Sequence, residues 1–155
     1  MPLSGHNARR VVFGAMNLVT GHGLFLPRRR QRGEDFRAFL RHVDAHYRSW
    51  HVALLLDEDP SHTARDSVGL AEELRMELLW LPKRCPELNA MDELWGQAKD
   101  VVCANKQYPA IHTQVGRFLR YLEGLTGEEA LRTSGVRSED YWLKRVLSKK
   151  FCGPA

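Results

Sequence analysis

A chain of 155 residues, 43% hydrophobic and 27% charged, has room for one domain with a real core but not for two comfortable ones. No apolar run approaches the length of a membrane span, and no signal-peptide pattern opens the chain, so a membrane-embedded or exported protein is not expected. The formal net charge of +4 is unevenly spread, because Arg9, Arg10, Arg28, Arg29, Arg30 and Arg32 all precede the first acid, Glu34.

Such a one-signed stretch is either a solvated surface or a surface for phosphate backbones, which basic side chains neutralise with release of counterions. The first apolar pattern follows it closely. Val11 to Val19 reads as a strand, Thr20 to Gly23 as a glycine-rich turn, and Leu24 to Leu26 as the returning strand before Pro27. Glu34 and Asp35 then open a helix in which Phe36, Phe39, Leu40, Val43 and Tyr47 recur at helical spacing.

"HVALLLD" is a short continuous apolar run, as in parallel strands buried on both faces, and "MELLWLP" is a second one. Between them, Thr63 to Arg75 reads as a helix. The stretch after Pro86 is helical, and so is Ile111 to Leu125, where Ile111, Val115, Phe118, Leu119, Leu122 and Leu125 share a face. From Gly127 the signals thin out, although "DYWLKRVL" suits a last short helix. A hairpin followed by alternating helices and buried strands predicts one α/β domain, a mixed sheet covered by helices. The α/β body is expected over residues 1–126, with a helical tail packed on it or extending from it over 127–155.

Cys85, Cys103 and Cys152 are odd in number and none stands at CxxC spacing. Neither a disulfide framework nor a structural zinc site is expected, and the thiols read as reduced ones of a cytoplasmic protein.

Two acids carry chemical promise. Asp57 ends the strand Val52 to Leu56, and sites in open α/β sheets form just beyond the carboxyl ends of strands. The alternative is an acid that merely starts the turn "DEDPSH" or caps the next helix. Asp92 follows Pro86, which suits a first helical turn. On a wheel of about 100° per residue, Met91, Leu94, Trp95, Ala98, Val101 and Val102 form one arc. Asp92 lies at its edge, partly buried, beside Trp95 and Lys99, while Glu93 points to solvent. Lys99 could neutralise Asp92 in a purely structural pair. Two converging carboxylates suit magnesium, which takes one or two carboxylates and leaves room for water and phosphate.

Together, "LLLDEDPSH" and "LPKRCPELNAMDELW" resemble the catalytic core of insertion-sequence transposases of the mariner superfamily, integrase-like enzymes with an RNase H-like fold and a D-D-E/D triad. Asp57 and His62 match the family's second aspartate and the His five positions on, with Glu58 in place of the usual Asn. Leu81, Pro82, Pro86, Leu88, Asn89 and Trp95 match the motif of the third acid, with Asp92 at the acid position and Ala90 where Pro is usual. Positions 58 to 91 separate the two acids, which is 34 residues, similar to members whose second and third acids are both aspartates. "FGAMNLVTGHG" resembles the hairpin after the first catalytic strand, so the resemblance spans roughly residues 10 to 125.

This resemblance implies Asp57 and Asp92 as catalytic metal ligands for Mg2+ or Mn2+, two ions in an intact member. It implies DNA as partner, both transposon ends and target, and a homodimer acting in the cytoplasm, at the bacterial nucleoid when bound to DNA. His62 would orient a carboxylate or contact DNA, unless it is a surface histidine at a helix start. Lys83, Arg84, Arg28, Arg29 and Arg30 are candidate phosphate contacts. Trp80 and Trp95 read as core, and Lys149 and Lys150 as a solvated tail.

No acid precedes Glu34, so the family's first catalytic aspartate has no counterpart, nor has the helix-turn-helix region. The first strand of the sheet is therefore expected to be missing. Two buried strand edges would lose their partners, making the chain marginal alone or dependent on a complementary N-terminal fragment. Two functions remain open: a partial transposase catalytic domain performing metal-dependent DNA cleavage and strand transfer, or an inactive truncated remnant that at most binds DNA.

Overall fold

The computed structural model describes residues 1–5, 8–104 and 106–147. Lys149, Lys150 and Cys152 lie outside the described residues. In chain order the elements are β1 (Pro2–Gly5), β2 (Ala8–Met16), β3 (Gly23–Arg28), α1 (Gly33–His46), β4 (Ala53–Leu56), α2 (Pro60–Thr63), α3 (Arg65–Glu73), β5 (Glu77–Trp80), α4 (Ala90–Cys103), α5 (Ile111–Gly124), α6 (Gly127–Thr133) and α7 (Lys144–Leu147). They fall into two units. One holds Met1–Arg30 and the described chain from Ala90 onward, and the other holds Gln31–Asn89.

In the first unit β1, β2 and β3 form an antiparallel sheet in that order. β1 was not expected. Leu3, 3% exposed, and the bonds exchanged between Met1 and Val12 (Met1 N to Val12 O 2.9 Å, Val12 N to Met1 O 2.8 Å) seat it against β2. The edge of β2 expected to be bare is therefore paired. Pro2 fits because it opens an edge strand, where a missing N–H costs no ladder bond.

β2 stops at Met16 rather than at Val19 because the next residue supplies its own turn. The Asn17 Oδ1 accepts from the backbone N–H groups of Val19 at 2.9 Å and Thr20 at 3.0 Å, while Gly21 N donates to Asn17 O at 2.8 Å. A side chain that satisfies turn amides in this way competes with the strand ladder. Pro27 lies inside β3, opposite Val12, where β3 is an edge.

Leu3, Val12 and Phe25 from this sheet pack with Met91, Leu94, Ala98 and Val102 of α4 and Ile111, Val115, Phe118 and Leu122 of α5. Trp95 belongs to that core as expected, stacked on Phe118 at 5.9 Å and edge-on to Phe25 at 5.8 Å. Val101, placed on the same arc by the wheel, is instead 42% exposed. α6 carries a signal that went unread in the sequence. The Thr126 hydroxyl accepts from Glu129 N, and the Glu129 carboxylate accepts from Thr126 N, a reciprocal cap in the pattern T-x-x-E.

In the second unit β4 and β5 pair in parallel, Leu54 opposite Leu78 and Leu56 opposite Trp80. α1 buries the expected Phe36, Phe39, Leu40 and Val43 and packs on α3, which in turn packs on β5. The helix expected over Thr63 to Arg75 is two helices. Pro60 starts α2, and Ala64 (φ −53°, ψ 138°) is extended and breaks the run before α3.

Burial on both strand faces is not observed. Leu79 is 46% and Trp80 39% exposed, which overturns the core reading of Trp80. A continuous apolar run specifies a strand, but it does not by itself supply a cover for the second face.

Candidate functional site

β4 and β5 are parallel, so their carboxyl ends coincide. Leu81 N donates to Leu56 O at 2.8 Å, which ties the two exits together. Asp57 follows Leu56 on one strand, and the loop with Lys83 and Arg84 follows Leu81 on the other. Both lie in one unit, at the sheet edge where α/β proteins place their chemistry.

The sequence left open whether Asp57 is only a cap, and the hydrogen bonds answer it. Asp59 is the cap of α2. Its Oδ1 accepts from Ser61 N at 2.9 Å and Ser61 Oγ at 2.6 Å, and its Oδ2 from Gln31 Nε2 at 3.2 Å. Ser67, fully buried, donates to Ser61 O at 2.9 Å and holds the turn from beneath. Asp57 is left for other work. Its Oδ1 lies 2.9 Å from His62 Nδ1 and accepts from Asp59 N at 3.3 Å. Its Oδ2 has no partner among the described residues, and the side chain is 66% exposed.

His62 is the opposite, with a side chain only 16% exposed and its ring 4.4 Å from that of Phe36 on α1. Its Nδ1 is also 3.1 Å from the Asp57 carbonyl oxygen. Both neighbours of Nδ1 are acceptors, so Nδ1 carries the proton whatever the charge of the ring. The hydrogen bond from His62 holds the Asp57 carboxyl below its ordinary value, against a smaller opposing effect of burial. For His62, burial disfavours the charged ring, but the side-chain and backbone bonds to Asp57 and the negative charges of Asp57 and Asp59 outweigh it together, and the pKa rises.

Asp92 lies in the other unit, in the first turn of α4, where the helix dipole favours an acid. It is exposed rather than partly buried, and so are Glu93 and Lys99. Pro86 does not start α4. It opens a single 3-10 turn, Pro86–Leu88, and Asn89 (φ −96°, ψ 108°) is extended before α4 begins at Ala90. Asp92 is thereby the third residue of its helix.

Lys83 and Arg84 are exposed, and Arg84 has φ 58°, in the left-handed region. Arg28 ends β3, while Arg29 and Arg30 beyond it are exposed. Phe36 and Asp59 had no place among the expected site residues. Helical spacing put Phe36 only among the recurring apolar residues of α1, and the motif singled out Asp57 without giving Asp59 a role. No group of three or more His, Cys, Asp or Glu side chains suited to a metal ion occurs among the described residues. No helix among them is long and apolar enough to cross a membrane.

The sequence profile of the DDE superfamily endonucleases matches residues 2–113. No curated protein matches by sequence. The fold is similar to the Mos1 transposase catalytic domain solved with Raltegravir and Mg, with TM-score 0.70 and 17% identity over 86% of this chain and 73% of that one. It is also similar to the Mos1 mariner paired end complex with Mn, with TM-score 0.69 and 16% identity over 96% of this chain and 46% of that one. A simian T-cell lymphotropic virus intasome in complex with the PP2A regulatory subunit B56 gamma matches with TM-score 0.62 and 11% identity, over 77% of this chain and 45% of that one. The chain belongs to the DDE superfamily endonucleases, and its fold is the RNase H-like one of the Mos1 transposase catalytic domain.

Proposed function

We propose that the chain acts on DNA as transposase catalytic machinery, cutting phosphodiester bonds and joining strands, with Asp57 and Asp92 as ligands of divalent metal. The observation that carries this reading is the division of labour in "DEDPSH". Asp59 caps the helix, and Asp57 presents Oδ2 outward at the carboxyl edge of a parallel strand pair.

The donor chemistry fits a hard divalent ion. Asp57 offers an oxygen, its low pKa keeps it ionised near neutrality, and magnesium commonly takes one or two protein carboxylates with water and phosphate completing the shell. Bound Mg2+ or Mn2+ would supply neutralisation of phosphate charge and a more acidic water. The chain's own part is positioning, since phosphoryl transfer depends mainly on orientation and electrostatics. Asp57 and Asp92 would each offer a carboxylate oxygen to the ion. Lys83 and Arg84, on the loop beside Asp57, are suited to hold a phosphate oxygen, and Arg28, Arg29 and Arg30 to follow the DNA backbone.

A second reading is DNA binding without turnover, for which the exposed Arg29 and Arg30 would supply phosphate contacts. Nicking of a supercoiled plasmid in Mn2+ separates the two. Nicking by the purified chain that is lost in Asp92→Asn supports the enzyme. Plasmid binding with no nicking, in the presence or absence of Mn2+, supports the binding protein.

A further inference from the structure

We infer that His62 is a positioning residue for Asp57, not a DNA contact, and that Phe36 sets the ring for that task. The inference rests on the reading of Asp57 as a metal ligand and adds to it a residue whose role is to aim the carboxylate. Three observations carry it.

The first is access. A side chain 16% exposed, with its ring against Phe36, offers little surface to a nucleic acid, whereas Asp57 is 66% exposed. The second is geometry. The single Nδ1–H faces both Oδ1 (2.9 Å) and the carbonyl oxygen (3.1 Å) of Asp57, so one donor fixes backbone and side chain together. With Asp59 N also on Oδ1, the carboxylate cannot turn without breaking two bonds, and Oδ2 is the oxygen left facing out. The third is support from behind. Phe36, 3% exposed on α1, fixes the ring plane, and the Asp59–Ser61–Ser67 bonds fix the one-turn helix that carries His62. A group that orients a ligand from behind commonly changes metal affinity about 10–100-fold when removed.

The experiment compares two substitutions of nearly equal size. His62→Asn keeps a donor near the place of Nδ1, and His62→Leu keeps the apolar contact with Phe36 but loses the donor. Mn2+ affinity is read from the electron paramagnetic resonance of free Mn2+, with Asp57→Asn as reference and metal-free thermal melts as the check on folding.

The expected result is Mn2+ binding in the wild type, loss in Asp57→Asn, about 10–100-fold weakening in His62→Leu, and most of the affinity kept in His62→Asn. Wild-type affinity in His62→Leu, with loss in Asp57→Asn, would overturn the positioning role and leave the ligand reading intact. Equal binding by wild type and Asp57→Asn, or none by either, would overturn the ligand reading and the positioning role with it. Should His62→Leu not fold, nitrogen chemical shifts of the wild-type ring decide. A proton on Nδ1 and a shift on adding Mg2+ support the role, and a proton on Nε2 alone or no shift overturns it.

Discussion

His62 and Asp57 meet through a single nitrogen: Nδ1 of His62 lies 2.9 Å from the Asp57 carboxylate and 3.1 Å from the carbonyl of the same residue. The bond joins a nearly buried ring to an exposed carboxylate, and it gives the protein a pH signature.

The Asp57 pKa is lowered from 3.8, so this contribution to stability is present above that value and lost as the pH falls through the folded-state pKa. The His62 pKa is raised from 6.5, so its contribution is full below that value and lost as the pH rises through the folded-state pKa. Both act together between 3.8 and 6.5. Urea unfolding of wild type and Asp57→Asn is expected to differ most inside that window, the difference vanishing on the acid side as Asp57 protonates and falling on the alkaline side only to what the bond from the neutral His62 ring retains. A difference constant across the range would mean that the pair is not coupled in solution.

Gly21 and Gly127 allow two backbones to cross. A Cβ on Gly127 would stand 2.1 Å from Thr20 O, and one on Gly21 would stand 2.0 Å from Gly127 O, with Gly21 already at φ +77°. The clash is with backbone, which cannot yield as a flexible side chain can. Gly127→Ala is expected to destabilise by about 1–3 kcal/mol or more, read from the urea midpoint, and an unchanged midpoint would show that this crossing is not maintained.

Gly96 and Gly116 are the opposite case. Both lie inside helices, α4 and α5, and an added Cβ at either meets nothing within 4 Å. Gly96→Ala and Gly116→Ala are each expected to gain about 0.5–1 kcal/mol from the lower entropy of the unfolded chain and better helix propensity. Loss of stability in either would point to a contact that the open space does not reveal.

Arg84 combines an unfavourable backbone with a useful charge. At φ 58° a residue bearing a Cβ is strained by about 1–2 kcal/mol relative to glycine. Arg84→Gly is therefore expected to hold or raise the melting temperature while weakening binding to duplex DNA at low salt. A parallel fall in both would assign Arg84 to folding rather than to phosphate.

Much of this was legible because local chemistry and tertiary environment agree. Phe36, Phe39, Leu40 and Val43 recur at helical spacing and are buried on α1. The motif acids Asp57 and Asp92 fall at a strand exit and a helix first turn. Failures came where a side chain overrode the run of apolar residues, as Asn17 does in ending β2, or where one residue broke a helix, as Ala64 and Asn89 do. Trp80 was misread because a sequence shows that a residue is apolar but not what covers it. Motif spacing pointed to Asp57, but that Asp59 takes the capping role depends on hydrogen bonds between residues two apart, which spacing does not show.

The outward oxygen of Asp57 is tested most directly by crystallography with Mn2+ and anomalous diffraction. An anomalous peak within bonding distance of Asp57 Oδ2, with His62 Nδ1 still on Oδ1, is the expected result. Ordered Mn2+ bound elsewhere while Asp57 stays unligated would contradict the assignment of Asp57 as a metal ligand.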